Sequence, residues 1–273
     1  MEDKGVIAKI KPVVGEFVRR CTKFVTLRTK LIKCRLWAQE PSNIFDIPII
    51  INNYNQYDFL LRLIASLEKR GYRNIHILDN ASTYPPLMEY YKHTPYKVYH
   101  LGANLGYTAF WLSGIYKQFL NQYFVYTDPD LEISEECPDD FMQRFYDLLQ
   151  RHRLSSKVGF GLRIDDLPDH YPHKEKVINW ESVFWEEEVE PGVYLAPIDT
   201  TFALYRPFTK NTRDKLDNIL RTGFPYTMRH LPWYSNPDNQ TENEAYYTKS
   251  TQSETHWGGK IDKNVRTAVD KKR

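Results

Sequence analysis

Cysteine is scarce. The 273-residue chain has three (Cys21, Cys34 and Cys137), widely spaced and with no Cys-x-x-Cys pair. That excludes a disulfide framework and a cysteine-ligated zinc site, and it points to a reducing compartment. Long hydrophobic runs are also missing: no apolar stretch reaches the roughly 18 residues of a membrane-spanning helix. The charged start lacks a continuous apolar segment, so no secretory leader is expected. Nor does one sign of charge dominate. Lys and Arg number 37 against 35 Asp and Glu, a net charge of +2, which gives no argument for nucleic acid. Internal repeats and low-complexity linkers are absent. What is present is a chain 41% hydrophobic and 26% charged, enough to bury the core of one large α/β domain or two small ones. Aromatics reach 15%, with 20 Tyr and 6 Trp, and serve either as core or as stacking platforms for sugar rings and bases.

Residues 1–40 differ from the rest. They hold ten bases (Lys4, Lys9, Lys11, Arg19, Arg20, Lys23, Arg28, Lys30, Lys33 and Arg35) against four acids (Glu2, Asp3, Glu16 and Glu40). Ile10, Val13, Val14, Phe17, Cys21, Phe24 and Val25 recur at helical spacing. Such a basic amphipathic helix suits an anionic membrane face; packing on the protein body or a solvated tail are the competing readings. Lys260 to Arg273 reads as a basic tail.

From Asp46 onward the pattern is α/β. Ile47 to Asn53 reads as a buried strand opening into a polar loop. Phe59, Leu60, Leu63, Ile64 and Leu67 then mark a helix, with Gly71 as its stop. Asn74 to Leu78 is a second strand ending in Asp79-Asn80, and Pro85-Pro86 opens a short helix through Tyr91. Tyr96 to Leu101 is a third strand, followed by an Asn104-Leu105-Gly106 turn and a helix over Thr108 to Asn121. Tyr123 to Thr127 is the fourth strand, and it delivers Asp128-Pro129-Asp130. Repeats of about 25 residues per unit fit parallel βα units with right-handed crossovers. Asn53, Asp79, Asn104 and Asp128 then collect at one sheet edge, the edge where open α/β sheets bind ligands. Two carboxylates flanking one stiff Pro there are hard oxygen ligands for Mg²⁺ or Mn²⁺.

Beyond residue 130 the pattern is less regular. Val158 to Arg163 and Thr200 to Tyr205 read as strands, and Asp165 to His170 as an acidic loop. The segments Ile77 to Pro86, Thr127 to Asp130, Asp165 to Pro172, Asp199 to Arg206 and His230 to Tyr234 together resemble the GT-A fold glycosyltransferases, specifically a family-two-like bacterial subgroup. The resemblance spans about Ile47 to Trp257. It implies a Rossmann-like, mostly parallel central sheet flanked by helices. On that basis 1–45 is the basic amphipathic segment, 46–130 the nucleotide-sugar half, 131–259 the acceptor half and 260–273 the tail.

The resemblance also implies roles. Asp128 and Asp130 would hold the metal and, through it, the donor diphosphate, with the donor favoured as UDP-type. Asp79 would contact the donor base or ribose, with Asn53 and Asn104 in the same pocket; the plainer role for Asp79 is a turn or cap. Asp199 is the first candidate for the base that takes the acceptor's proton, and donor binding is its alternative; Asp165, Asp166 and Glu181 compete. His256 suits a late metal ligand, and His230 suits a ligand or the base. Arg206 and Arg229 could pair with phosphates. One departure stands out. The family's usual Glu-Asp pair is missing, and Tyr226-Thr227-Met228-Arg229-His230 occupies its place. The expected activity is metal-dependent transfer, with inversion, of a hexose from a nucleoside-diphosphate sugar to a saccharide or lipid-linked acceptor in polysaccharide biosynthesis. The expected location is cytoplasmic, or peripheral on the inner membrane face. A non-catalytic nucleotide-sugar or carbohydrate binder is the alternative. A sugar nucleotidyltransferase is disfavoured, because Asn52 to Gln56 lacks the Gly-rich basic loop.

Overall fold

The computed structural model describes residues 31–198, 201–210 and 218–251, preceded by isolated helical positions at 18, 21, 22, 25, 28 and 29. The first half is built from β1 (Ile49–Asn53), α1 (Tyr57–Lys69), β2 (Ile75–Asp79), α2 (Pro85–His93), β3 (Lys97–His100), the short helix α3 (Ala109–Leu112) and β4 (Phe124–Thr127). The second half contributes β5 (Leu131–Ile133), α4 (Phe141–Arg151), β6 (Ser155–Leu162), α5 (Lys174–Ser182), β7 (Glu188–Glu190), β8 (Val193–Leu195), β9 (Ala203–Tyr205), β10 (Asn218–His230) and α6 (Glu242–Ser250).

All ten strands join one sheet in the order β3-β2-β1-β4-β9-β6-β10-β8-β7, with β5 paired to β10. β1, β2, β3 and β4 are mutually parallel, as the βα repeat requires. β9 then runs antiparallel between β4 and β6, and β6 pairs parallel with β10. Only β9, β8 and β5 oppose the common direction. The result is the expected α/β fold, a mostly parallel sheet with helices on both faces.

β1 is buried along its whole length, which explains its unbroken Ile49-Ile50-Ile51 run. Its side chains alternate between two cores. Ile49 and Ile51 pack with Leu60, Leu63, Ile64 and Leu67 of α1 on one face, together with Phe141, Phe145, Leu148 and Leu149 of α4. Ile50 points to the other face, among Leu78, Phe110, Phe124, Tyr126 and Tyr205. Burying each such side chain contributes about 1.5–3 kcal/mol.

One expected helix is broken. In place of a continuous helix over 108–121 there is α3, then Gly114 at φ 77°, then a 3-10 turn over Ile115–Phe119. A left-handed residue ends an α-helix, and Gly takes that conformation without a Cβ penalty.

Candidate active site

The parallel register builds the site's first row. Asn53 of β1 lies opposite Asp79 of β2, and Asp79 lies opposite His100 of β3, all at the strands' carboxyl ends. Asp79 is buried. Its Oδ1 accepts from the Ser82 backbone N–H at 3.1 Å, and its Oδ2 lies 3.1 Å from His100 Nδ1. The carboxylate therefore shapes the turn after β2 and faces a neighbouring imidazole. Asn53 is fully buried, and its Nδ2 donates to Tyr91 Oη at 2.8 Å. Asn53 Oδ1 has no hydrogen-bond partner, an unmet acceptor at the β1 end of this row. Asn104 is exposed and caps its own turn, accepting from Gly106 N at 2.9 Å.

Three further asparagines hold the loops above that row. Asn80 Nδ2 donates to Asn52 Oδ1 at 2.5 Å, while Asn80 Oδ1 accepts from Leu105 N at 3.0 Å. Asn55 adopts φ 53°, a left-handed conformation that Asn tolerates, and its Oδ1 accepts from both Thr83 N and Tyr84 N. The sequence marked this region as polar. It did not mark which asparagines tie one loop to the next.

Asp128 and Asp130 follow β4 at the same edge. Asp128 is partly exposed, and its charge reaches the phenols of Tyr126 and Tyr247. Asp130 Oδ2 accepts from Gln56 Nε2 at 3.4 Å and stands 3.5 Å from His230 Nε2. Burial pushes the Asp130 carboxyl up, but the charge and hydrogen bond of His230 and the bond from Gln56 outweigh it and hold it below the usual carboxylate range. Asp130 therefore stays ionised. Its polar neighbours come from both halves, Gln56 from the loop after β1 and His230 from the end of β10. His230 arrives because β10 pairs with β5, placing His230 opposite Leu131. Its Nδ1 is buried without a partner.

These two carboxylates fit a hard divalent cation. They supply oxygen donors, Asp130 is kept charged, and the basic side chain nearest to it is an imidazole rather than a Lys or Arg. Among the described residues no group of three metal-ligating side chains stands together. A cation here would draw its remaining ligands from diphosphate, water or residues outside the described ones.

The other candidates sort by their partners. Asp166 is gripped by Arg229, with Nε at 2.7 Å and Nη2 at 2.5 Å, and by Tyr234 Oη at 2.5 Å. Arg229 is thus spent on Asp166, not directed at a phosphate. Asp165 is exposed and paired with Arg163 at 2.9 Å. Glu181 forms a buried ion pair with Arg221. Arg206 is buried and donates to the backbone carbonyls of Ser155 and Leu149, far from the acidic edge and at the amino end of β6. Each of these was open from sequence, and the structure gives each a structural partner. Asp199 and His256 lie outside the described residues.

The sequence profile of glycosyl transferase family 2 matches residues 49–230. No curated protein sequence matches the chain. Among solved structures, a mannosyltransferase from Pyrobaculum calidifontis in complex with GDP-mannose and Mn²⁺ is 13% identical, with a TM-score of 0.42 over 77% of this chain and 68% of that one. GalNAc-T7 with UDP, GalNAc and Mn²⁺ is 16% identical, with a TM-score of 0.45 over 67% of this chain and 42% of that one. Glucosyl-3-phosphoglycerate synthase from Mycobacterium tuberculosis, with phosphoglyceric acid, is 14% identical, with a TM-score of 0.36 over 59% of this chain and 56% of that one.

Proposed function

The chain belongs to glycosyl transferase family 2, and from that membership and the geometry of the acidic edge we propose a metal-dependent glycosyltransferase that moves a hexose from a nucleoside-diphosphate sugar, UDP-type favoured, to a saccharide or lipid-linked acceptor. The observation that carries this reading is the placement of Asp128 and Asp130. Both sit just past the carboxyl end of a central strand, with Asp130 kept ionised by His230.

In the reaction, an acceptor hydroxyl oxygen forms a bond to the anomeric carbon as the bond from that carbon to the β-phosphate oxygen breaks. The electron pair leaves with the diphosphate, and the hydroxyl proton passes to a base. Attack opposite the leaving group inverts the anomeric centre. A bound Mn²⁺ or Mg²⁺ would supply charge stabilisation for the leaving diphosphate. Asp128 and Asp130 would hold it, and Gln56 and His230 fix the Asp130 carboxylate. Asp79 and Asn53 are proposed to form the floor of the nucleoside pocket, both being buried at adjacent strand ends. Asn104 would line the mouth of the same pocket.

Asp199 is proposed as the base, since Asp166 and Glu181 are committed to arginines. His256 is proposed as a late metal ligand. His230 is better supported as the partner of Asp130 than as a base facing the acceptor. We also place the chain in bacterial polysaccharide biosynthesis, on the inner face of the cell membrane, with residues 1–40 on anionic lipid. No helix among the described residues is long and apolar enough to cross a membrane.

A thermal-shift panel of nucleoside diphosphates and sugar nucleotides, with and without Mn²⁺, tests the donor site. A ligand at a hundredfold excess over its Kd adds about 2.7 kcal/mol to the native state. A Mn²⁺-dependent rise is expected with one diphosphate, and Asp128→Ala and Asp130→Ala should each remove it. No shift across the panel refutes the donor site. Sugar-nucleotide turnover with candidate acceptors separates transfer from mere binding.

A further inference from the structure

Helix α6 lies beyond residue 230, outside the span that matches the family profile. Its contacts nevertheless run to the loops of the donor side. The starting point is a division of labour at the N-terminus of α1. Gln56 is the residue at the cap position, yet it makes no side-chain capping bond. Its amide is turned to Asp130 instead. The exposed N–H groups of the first turn must still be met. Asn243 of α6 meets two of them: its Oδ1 accepts from Tyr57 N at 2.8 Å and from Asp58 N at 3.2 Å. The same amide donates through Nδ2 to Asn55 O at 2.9 Å. Asn243 is 3% exposed, so this is a buried joint with both ends of its side chain engaged.

The rest of α6 is fastened along its length to the same loops. Thr241 closes a capping box with Glu244 and donates to Asp58 Oδ2 at 2.7 Å. Tyr246 meets Thr83 Oγ1 at 3.0 Å and packs on Tyr84, with ring centroids 5.0 Å apart. At the far end, Tyr54 Oη donates to Ser250 O at 3.0 Å, and Asn55 Nδ2 donates to Ser250 Oγ at 3.1 Å. Tyr247 lies between these points. Burial first, then the charge of Asp130, pushes its phenol up to about 12, so it stands beside the acidic edge as a neutral hydrogen-bonding group.

We propose that α6 is a wall of the donor site and that Asn243 is a positioning residue, which caps α1 from outside so that Gln56 is free to hold Asp130. The proposal rests on the donor-site reading above. A residue that capped its own helix could not also reach Asp130, and supplying the cap from α6 removes that conflict.

The test measures the Mn²⁺ midpoint of the thermal shift, using whichever of UDP and GDP gives the larger shift at saturation. Asn243→Ala is expected to raise that midpoint about tenfold. Asn243→Asp keeps the acceptor, which favours a helix N-terminus, but loses the donor to Asn55 O, so it should recover part of the loss. Gln56→Ala should have an effect like that of Asn243→Ala, and the double variant should be little worse than either, because both act through one contact. A purely structural Asn243 would lower the melting temperature without nucleotide and leave the midpoint within about twofold, with independent effects in the double variant; that result overturns the proposal. If Asn243→Ala does not fold, Ser250→Ala removes the contact to Asn55 and one bond to Tyr247 O at the end of α6, and should raise the midpoint by about threefold; an unchanged midpoint in that variant overturns it equally. Absence of any Mn²⁺-dependent shift in the wild-type protein refutes the donor site itself, and the proposal with it. A normal wild-type shift that Asn243→Ala leaves intact refutes the proposal alone.

Discussion

His230 Nε2 lies 3.5 Å from Asp130 Oδ2, joining the end of β10 to the acid that follows β4. The two residues are 100 positions apart in sequence and meet because β5 and β10 pair antiparallel. The contact makes His230 a keeper of the carboxylate. Replacing His230 by Ala is therefore expected to weaken Mn²⁺ affinity by about 10–100-fold, the usual cost of losing an outer partner of a metal ligand. Much of the turnover should return at saturating Mn²⁺. Normal Mn²⁺ affinity with turnover down by about 10²-fold or more would instead mark His230 as a proton acceptor.

The buried pair of Glu181 and Arg221 is expected to be structural. Glu181→Gln leaves a buried guanidinium without its counter-charge and should cost about 3–5 kcal/mol by denaturant unfolding. Nucleotide-dependent shifts measured below the lowered melting temperature should persist. Their loss with an unchanged melting temperature would return Glu181 to the site.

Stability should fall with pH through the range of His76. Burial first, then the charge of Lys97, lowers its pKa to about 4, against about 6.5 in the unfolded chain. Between those values the unfolded state binds the proton and the native state does not, so acidification favours unfolding. The contribution is fully present above about 6.5 and lost as pH falls toward about 4. His76→Gln should flatten the melting-temperature profile in that window, and an identical profile would contradict the assignment.

Gly161 should tolerate no side chain. A Cβ there would stand 2.4 Å from the Trp185 ring and 2.6 Å from Thr222 O. Gly161→Ala is expected to cost about 1–3 kcal/mol through overpacking. An unchanged unfolding midpoint would mean that both the Trp185 ring and the β10 backbone at Thr222 give way without cost.

The N-terminal helix carries a second apolar stripe. Val18, Val25, Ile32 and Leu36 fall on one helical face and are 55–61% exposed, whereas Cys34 on the opposite face has its Sγ 3.5 Å from Pro207 O. Ile32→Glu with Leu36→Glu should reduce sedimentation with phosphatidylglycerol vesicles and leave the melting temperature unchanged. Equal binding by both proteins would refute surface anchoring.

The first four strands were legible in the sequence because each is a short apolar run ended by polar residues, and β1 to β4 do deliver their terminal residues to one edge. The helix α4 left an unread signal, since Phe141, Met142, Phe145, Leu148 and Leu149 recur at helical spacing. β10 was hidden by Gly223 and by Pro225, which follows a cis bond; both residues argue against a central strand. At the site, strand-end logic finds Asp79, Asp128 and Asp130. It finds His100 as well, if the third strand is treated like the second. It cannot find Gln56, His230 and Asn243 as a set, because their meeting depends on the pairing of β5 with β10 and on the contact of α6 with the loop after β1, which no local spacing encodes.

β4 has different attachments at its two ends. Just before it, Gln39 N donates to Asn121 O at 2.7 Å and Gln39 bridges Gln122, tying the exit of the basic helix to the strand's entrance. Just after it come Asp128 and Asp130. Four residues span about 13 Å. The strand is therefore a ruler. The exit of the basic helix and the acidic edge sit at opposite ends of one fully buried strand, so a load on the helix reaches Asp128 and Asp130 through the sheet and not through a loop.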